Sequence, residues 1–137
     1  TLVSIPPTAQ NVEIAWEWPA LRAMFERFGQ FSRHVLFDKR GTGASDNVRD
    51  MPGIDERVDD LRAVMDHAGI ERAFLFGASE GGPVTLMFAA TYPERVEGII
   101  INGAGARSMQ TELSESERAA TLERFAVVAQ EWGTPYS

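Results

Sequence analysis

Residues 73–92 place the tightest constraint on how this chain can fold. A short apolar run, Ala73-Phe74-Leu75-Phe76, stops at Gly77, and a helical pattern runs from about Gly82 to Tyr92, closed by Pro93. Only Gly77-Ala78-Ser79-Glu80-Gly81 separates the two, so a strand must turn sharply into a helix around one serine. Such a turn forces its central residue into a strained backbone conformation with the side chain exposed. It also brings neighbouring chain close at the positions two before and two after. Gly77 and Gly81 stand at those positions and carry no Cβ.

The same alternation repeats along the chain. Leu2 to Ile5 reads as a short strand, and Pro6 and Pro7 open a loop. Residues 18–28 read as a helix, with Pro19 in the first turn and Leu21, Met24, Phe25 and Phe28 at helical spacing. Val35, Leu36 and Phe37 form a continuous apolar run, expected of a strand buried on both faces. A polar Gly-rich turn, DKRGTGASD, follows. Residues 55–68 are helical again, with Val58, Leu61, Val64, Met65 and Ala68 on one face and Gly69 as the stop. Residues 96–101 make a further strand. Ser114-Glu115-Ser116-Glu117 is a capping-box pattern, and the helix behind it should run to about Trp132. Its stripe holds Leu122, Phe125, Ala126, Ala129 and Trp132, and Gly133 ends it. Repeated strand–helix alternation predicts an α/β fold with a parallel sheet, flanking helices and right-handed crossovers. There is no internal repeat or low-complexity segment.

Composition narrows the function. With 137 residues the chain is about one domain, and at 44% hydrophobic it can build a core. A formal net charge of -7 is a poor match for nucleic acid or an anionic membrane surface. No cysteine is present, which excludes disulfides, thiolate zinc sites and a catalytic thiol, and fits a cytoplasmic protein. No apolar run is long enough to span a membrane, and no signal peptide is visible. No cofactor or metal is expected. The chain lacks a starting Met, and Thr1 leads directly into an apolar run, as though a fold were entered partway.

The residues 77–81 match G-x-S-x-G, and the strand-to-helix setting is the one this motif needs for a nucleophilic serine. Ser79 is the candidate nucleophile. The helix N-terminus behind it offers unpaired N–H groups and the positive end of a dipole, which favour a developing oxyanion. The Glu80 backbone N–H is the natural first donor. The Glu80 side chain is not assigned as a base. A plain tight turn with glycines for close packing is the alternative reading. A phosphate site is a poorer one, because FGASEGG is neither G-x-G-x-x-G nor a P-loop.

Three stretches together resemble the α/β-hydrolase fold: FDKRGTGASD at 37–46, ERAFLFGASEGGPVTLMFAATYPERV at 71–96 and the spacing of NVEIAWEWPALR at 11–22. They cover about a third of the chain. More narrowly, the chain looks like the hydrolase-like domains found alone or attached to bacterial adenylate cyclases and transcription regulators. The resemblance implies a structural turn in which Asp38 and Arg40 brace the loop. It implies that Ser79 is the nucleophile, and that a second oxyanion donor comes from the loop after the first visible strand, at the Thr8 N–H. The family usually has glycine where this chain has Pro7, and proline removes a donor. By resemblance, residues 1–107 are a partial hydrolase core running from the third to the sixth strand, and 108–137 begin a helical lid.

A serine needs a positioned base, and in this fold the order along the chain is Ser, acid, His. Both histidines, His34 and His67, precede Ser79. His67 reads as a helix C-terminal residue favoured by the dipole. After the 96–101 strand, Asn102-Gly103-Ala104-Gly105 holds no carboxylate. Glu112, Glu115, Glu117, Glu123 and Glu131 read as the solvated face of the last helix. The triad acid and histidine are therefore expected outside this chain.

The leading expectation is part of a serine hydrolase that acts on a small-molecule ester or acyl substrate through an acyl-enzyme, with the 122–132 stripe facing the pocket or packing in a core. Serine at position 79 argues against a dehalogenase or epoxide hydrolase, whose relatives use Asp there. A cofactor-free haloperoxidase-like enzyme shares the serine triad. The alternative is a non-catalytic, ligand-sensing module of a cyclase or regulator, which Pro7 favours. A half-fold completed by a homodimer or by the remainder of a parent chain is the third.

Overall fold

The computed structural model of the chain describes residues 1–8, 10–106 and 114–131. Strands β1 (Leu2–Ile5), β2 (His34–Val35), β3 (Ala73–Ala78) and β4 (Val96–Asn102) form one parallel sheet in the order β2-β1-β3-β4. Parallel neighbours need crossovers. These are supplied by α1 (Val12–Glu17) with α2 (Pro19–Gly29), by α3 (Ile54–His67) and by α4 (Gly81–Thr91). This is the α/β architecture that the strand–helix alternation predicts. The chain divides into two compact units, Thr1–Ala106, which holds the sheet, and Arg107–Ser137, in which α5 (Glu115–Glu131) lies.

The core follows from the period-2 alternation of the strands. Val3 and Ile5 of β1 and Ala73 and Leu75 of β3 pack with Val58, Leu61 and Met65 of α3 and Val84 and Phe88 of α4. Residues of opposite parity in the same strands meet α2. Phe76 and His34 both pack edge-on to Phe28, and Ser4 Oγ lies 2.8 Å from His34 Nε2. Helix α3 stops where the sequence places its stop. Gly69 takes φ +65°, and the Ile70 N–H reaches back to the Met65 carbonyl at 2.8 Å. At α5 the capping box forms: the Ser114 N–H donates to Glu117 Oε2 at 2.9 Å, and the Glu117 N–H donates to Ser114 Oγ at 3.4 Å.

One expectation needs correction, and one helix has no counterpart in the sequence pattern. The 35–37 run is not a strand buried on both faces. Only His34 and Val35 pair, and residues 35–37 are half-buried. The reason is position: β2 lies at the sheet edge, and the chain then leaves for the turn held by Asp38. Helix α1 has no counterpart in the sequence reading, because six residues are too few to display a helical period. It is specified by caps instead. Asn11 Oδ1 accepts from the Ile14 N–H at 3.0 Å, and Asp38 Oδ1 accepts from the Val12 N–H at 2.9 Å. Of the expected α5 stripe, Leu122 and Ala126 are exposed. The side chains of Phe125 and Ala129, together with Trp132 and Gly133, lie outside the described residues, as does Glu112. Among the described residues no helix is long and apolar enough to cross a membrane.

Burial draws the His34 imidazole below its ordinary value of 6.5, against a hydrogen bond to the Phe25 backbone that raises it. The fold thus favours the neutral ring, which is faced by the Ser4 hydroxyl and the rings of Phe25 and Phe28. A depressed imidazole contributes stability that is complete above the unfolded value and lost as pH falls below it. The urea midpoint of the wild type should therefore drop between pH 7.5 and pH 5 by more than that of His34→Gln. Equal drops would remove His34 as the cause.

Candidate active site

The site lies at the carboxyl end of the sheet, where ligands bind in open α/β folds. Strand β3 ends at Ala78, and α4 begins at Gly81. Ser79, between them, is exposed and has φ +50°, the one non-glycine residue with positive φ among those described. A non-glycine side chain there costs roughly 1–3 kcal/mol and persists only when its surroundings over-determine it. The surroundings are tight. A Cβ on Gly77 would lie 2.3 Å from Thr85 Oγ1 and 2.8 Å from the Gly81 carbonyl oxygen. A Cβ on Gly81 would lie 2.4 Å from the Ile5 carbonyl oxygen and 3.1 Å from that of Pro6. The loop after β1 therefore rests directly on the first turn of α4. The Ser79 N–H donates to the Asn102 carbonyl at 3.0 Å, which ties the turn to the end of β4.

The Glu80 N–H has no hydrogen-bond partner among the described residues, and it sits at the N-terminus of α4. Thr8 is exposed in the loop that abuts Gly81. The Glu80 carboxylate is turned away into an ion cluster. Lys39 Nζ lies 2.5 Å from Glu80 Oε2, and Arg57 Nη1 bonds Oε1. Burial raises this carboxyl group, but the hydrogen bonds and charges of Lys39 and Arg57 outweigh it and hold the group below the ordinary 4.5. A carboxylate saturated by two cations is a poor proton acceptor, which agrees with leaving it unassigned as a base. Lys39 and Arg57 were not legible in sequence. One is buried within a turn that reads as solvated, and the other sits on a helix whose sequence pattern marks only its apolar face. The turn is braced as expected: Asp38 Oδ2 accepts from the Ala44 N–H at 3.1 Å, and Arg40 makes a bidentate pair with Asp60 on α3.

The histidines lie elsewhere. His34 pairs in register with Leu2, which also pairs with Phe74 at the amino end of β3. Ser79 is five residues beyond Phe74, which is about 16 Å at the usual rise of a strand. His67 ends α3, next to Asp66, whose carboxylate takes Arg95 Nη2 at 2.7 Å beside the segment entering β3. The structure brings neither ring to Ser79. Glu115, Glu117 and Glu123 are exposed on α5, and the Glu131 side chain lies outside the described residues. Among the described residues no group of three or more His, Cys, Asp or Glu side chains is placed to hold a metal.

Residues 22–133 match the Hydrolase_4 family, described as serine aminopeptidase, S33. The chain belongs to this family of α/β-hydrolases. It is 41% identical over 76 residues to a 2-hydroxy-6-oxononadienedioate/2-hydroxy-6-oxononatrienedioate hydrolase of Paraburkholderia phymatum, a match covering 53% of this chain and 26% of that protein. Among solved structures it resembles Est816, described as an N-acyl homoserine lactone degrading enzyme, with TM-score 0.75 and 27% identity over 90% of this chain and 45% of that one. A carboxylesterase structure from Nitrososphaera gargenis gives TM-score 0.74 at 22% identity, over 96% of this chain and 45% of that one, a likeness of fold alone. The family member described here thus spans about a quarter of that hydrolase and under half of each of these two structures.

The geometry separates strain from crowding. Ser79→Gly relieves the positive φ and should raise unfolding stability by about 0.5–1 kcal/mol, whereas Ser79→Ala should not. Gly81→Ala drives a Cβ into the Ile5 carbonyl and should cost about 2 kcal/mol or more. Urea denaturation of the three variants reads both effects, and a destabilised Ser79→Gly would refute the strain.

Proposed function

We propose that Ser79 is the nucleophile of a serine hydrolase that cleaves small esters, lactones or related acyl substrates through an acyl-enzyme. The observation that carries this reading is the exposed serine at φ +50° beside a helix-terminal amide with no partner among the described residues, the arrangement of a nucleophile elbow. The Glu80 N–H is the first oxyanion donor in this reading, and the Thr8 N–H is the second. Residues 1–107 are the third-to-sixth-strand part of the hydrolase core, and 108–137 open a lid. The base and acid belong to segments outside these 137 residues, as a chain matching about a quarter of its hydrolase relative's length allows. Membership of a hydrolase family and likeness to a lactone-degrading structure support an acyl substrate. The setting proposed is cytoplasmic, and the partner is a small molecule together with the remainder of a parent chain or a second copy. A haloperoxidase-like reaction would use the same serine.

The second reading is a ligand-sensing module of a cyclase or regulator. Pro7 favours it, since this loop leans on Gly81 and proline takes one amide out of it.

Fluorophosphonate labelling followed by intact-mass spectrometry decides between the two. In the parent protein Ser79 should gain one phosphonyl group, and Ser79→Ala should abolish the adduct. The 137-residue chain alone, with no histidine after Ser79, should label at least about 100-fold more slowly. No adduct on the parent, beside a control hydrolase that labels, would sink the catalytic reading and leave the sensor.

A further inference from the structure

We propose that Lys39, Glu80 and Arg57 form an internal clamp that holds the Ser79–Glu80 backbone in its strained conformation, making Lys39 and Arg57 positioning residues for the amide that follows the serine. The role given to that amide rests on the reading of Ser79 as a nucleophile. The clamp itself rests on geometry alone.

A residue at φ +50° relaxes unless something prevents it. On its amino side the restraint is the bond from the Ser79 N–H to the Asn102 carbonyl. On its carboxyl side it is the Glu80 side chain, whose two oxygens are taken by two cations, Lys39 from the turn after β2 and Arg57 from α3. Neither cation is loosely held. Lys39 is 8% exposed, and its carbonyl accepts from the Thr42 N–H at 3.0 Å and the Thr42 hydroxyl at 2.9 Å. Its neighbours Asp38 and Arg40 are fixed to the Val12 and Ala44 amides and to Asp60. Arg57 precedes Val58, which is in the core, and its Nη1 sits on Glu80.

The cluster borders a small, partly open pocket of about 20 Å³ lined by Ile5, Pro6, Phe37 and Val84 together with the charged groups, Asp60 among them. Apolar walls lower the local dielectric, so these ion pairs are worth more than the exposed pairs of α3, such as Arg62 with Asp59. Pro6 lines this pocket and belongs to the loop that abuts Gly81, so the clamp adjoins that loop as well as the turn at Ser79. Burial raises the Glu80 carboxyl, while its bonds to Lys39 and Arg57 more than offset this and favour the charged form that the clamp needs. The restraint is therefore present above the ordinary carboxyl range and is lost as pH falls through the depressed value.

The test is amide hydrogen exchange on the 137-residue chain, read in peptides covering 77–82 and, separately, β1 and α3. Glu80→Gln and Lys39→Met should each speed exchange at 77–82 by about 10-fold while β1 and α3 stay protected. Lys39→Arg should retain protection. In a chain that stays folded, a merely structural ion pair would change 77–82 no more than β1 and α3, and that result overturns the clamp. If the substitutions unfold the chain, β1 exposes it, and Lys39→Arg then carries the comparison: retained protection at 77–82 supports the clamp, and lost protection overturns it. In the parent protein, Glu80→Gln should slow phosphonylation of Ser79 by about 10-fold to 100-fold. Unchanged labelling with unchanged exchange sinks the clamp and spares the nucleophile. Absent labelling in the wild type sinks the nucleophile, and the exchange data still decide the clamp.

Discussion

The first turn of α4 lies against the end of β1 with no room for a side chain between them. The Ile5 and Pro6 carbonyls sit where a Cβ of Gly81 would go, and the Thr85 hydroxyl sits where one of Gly77 would go. Thr85 is fully buried and its hydroxyl donates to the Gly81 carbonyl at 2.8 Å, so the close approach is bonded as well as tight. Gly82 extends the contact to Ala104, at the exit of β4. Three segments therefore converge on one short turn. The exposure of Ser79 and its positive φ accompany this crowding, which leaves the turn from β3 to α4 little room.

Charge is arranged around that turn in layers. The Glu80 carboxylate faces inward to Lys39 and Arg57, while Arg40 and Asp60 pair nearer the surface on the same turn and helix. Ion pairs at the surface contribute little, and buried ones need full partnership to be tolerated. Both Glu80 oxygens are partnered, whereas the buried Nε of Arg57 has no hydrogen-bond partner among the described residues. At the other end of the sheet, the half-buried His34 is faced by the Ser4 hydroxyl and by the rings of Phe25 and Phe28. The two ends differ in kind. One holds charges fixed around a strained turn, and the other holds an imidazole among aromatic rings and one hydroxyl.

Much of the fold was legible because it follows from local pattern. The Gly69 stop, the α5 capping box, Pro19 opening α2 and the faces of α3 all depend on residues within one or two turns of each other. The errors came where context outweighed pattern. Val35-Leu36-Phe37 reads as a buried strand, but an edge position leaves those residues half-covered. Helix α1 depends on an aspartate 26 positions further on, a partner that no local window contains. At the site, Ser79, Gly77 and Gly81 were readable from their spacing. Lys39 and Arg57 were not, because each is separated from Glu80 by more than 20 residues.

By itself the sequence determined the alternation of strand and helix, the sharp turn at Ser79, and the lack of a histidine between Ser79 and Ser137, since each is a matter of residue type and near-neighbour order. The tertiary structure decided which carbonyls press on Gly81, where the Glu80 carboxylate points, and that both histidines lie at the far end of the sheet from Ser79. These depend on which strands become neighbours and in what register. Parallel pairing joins residues separated by whole crossovers, so no local spacing encodes it.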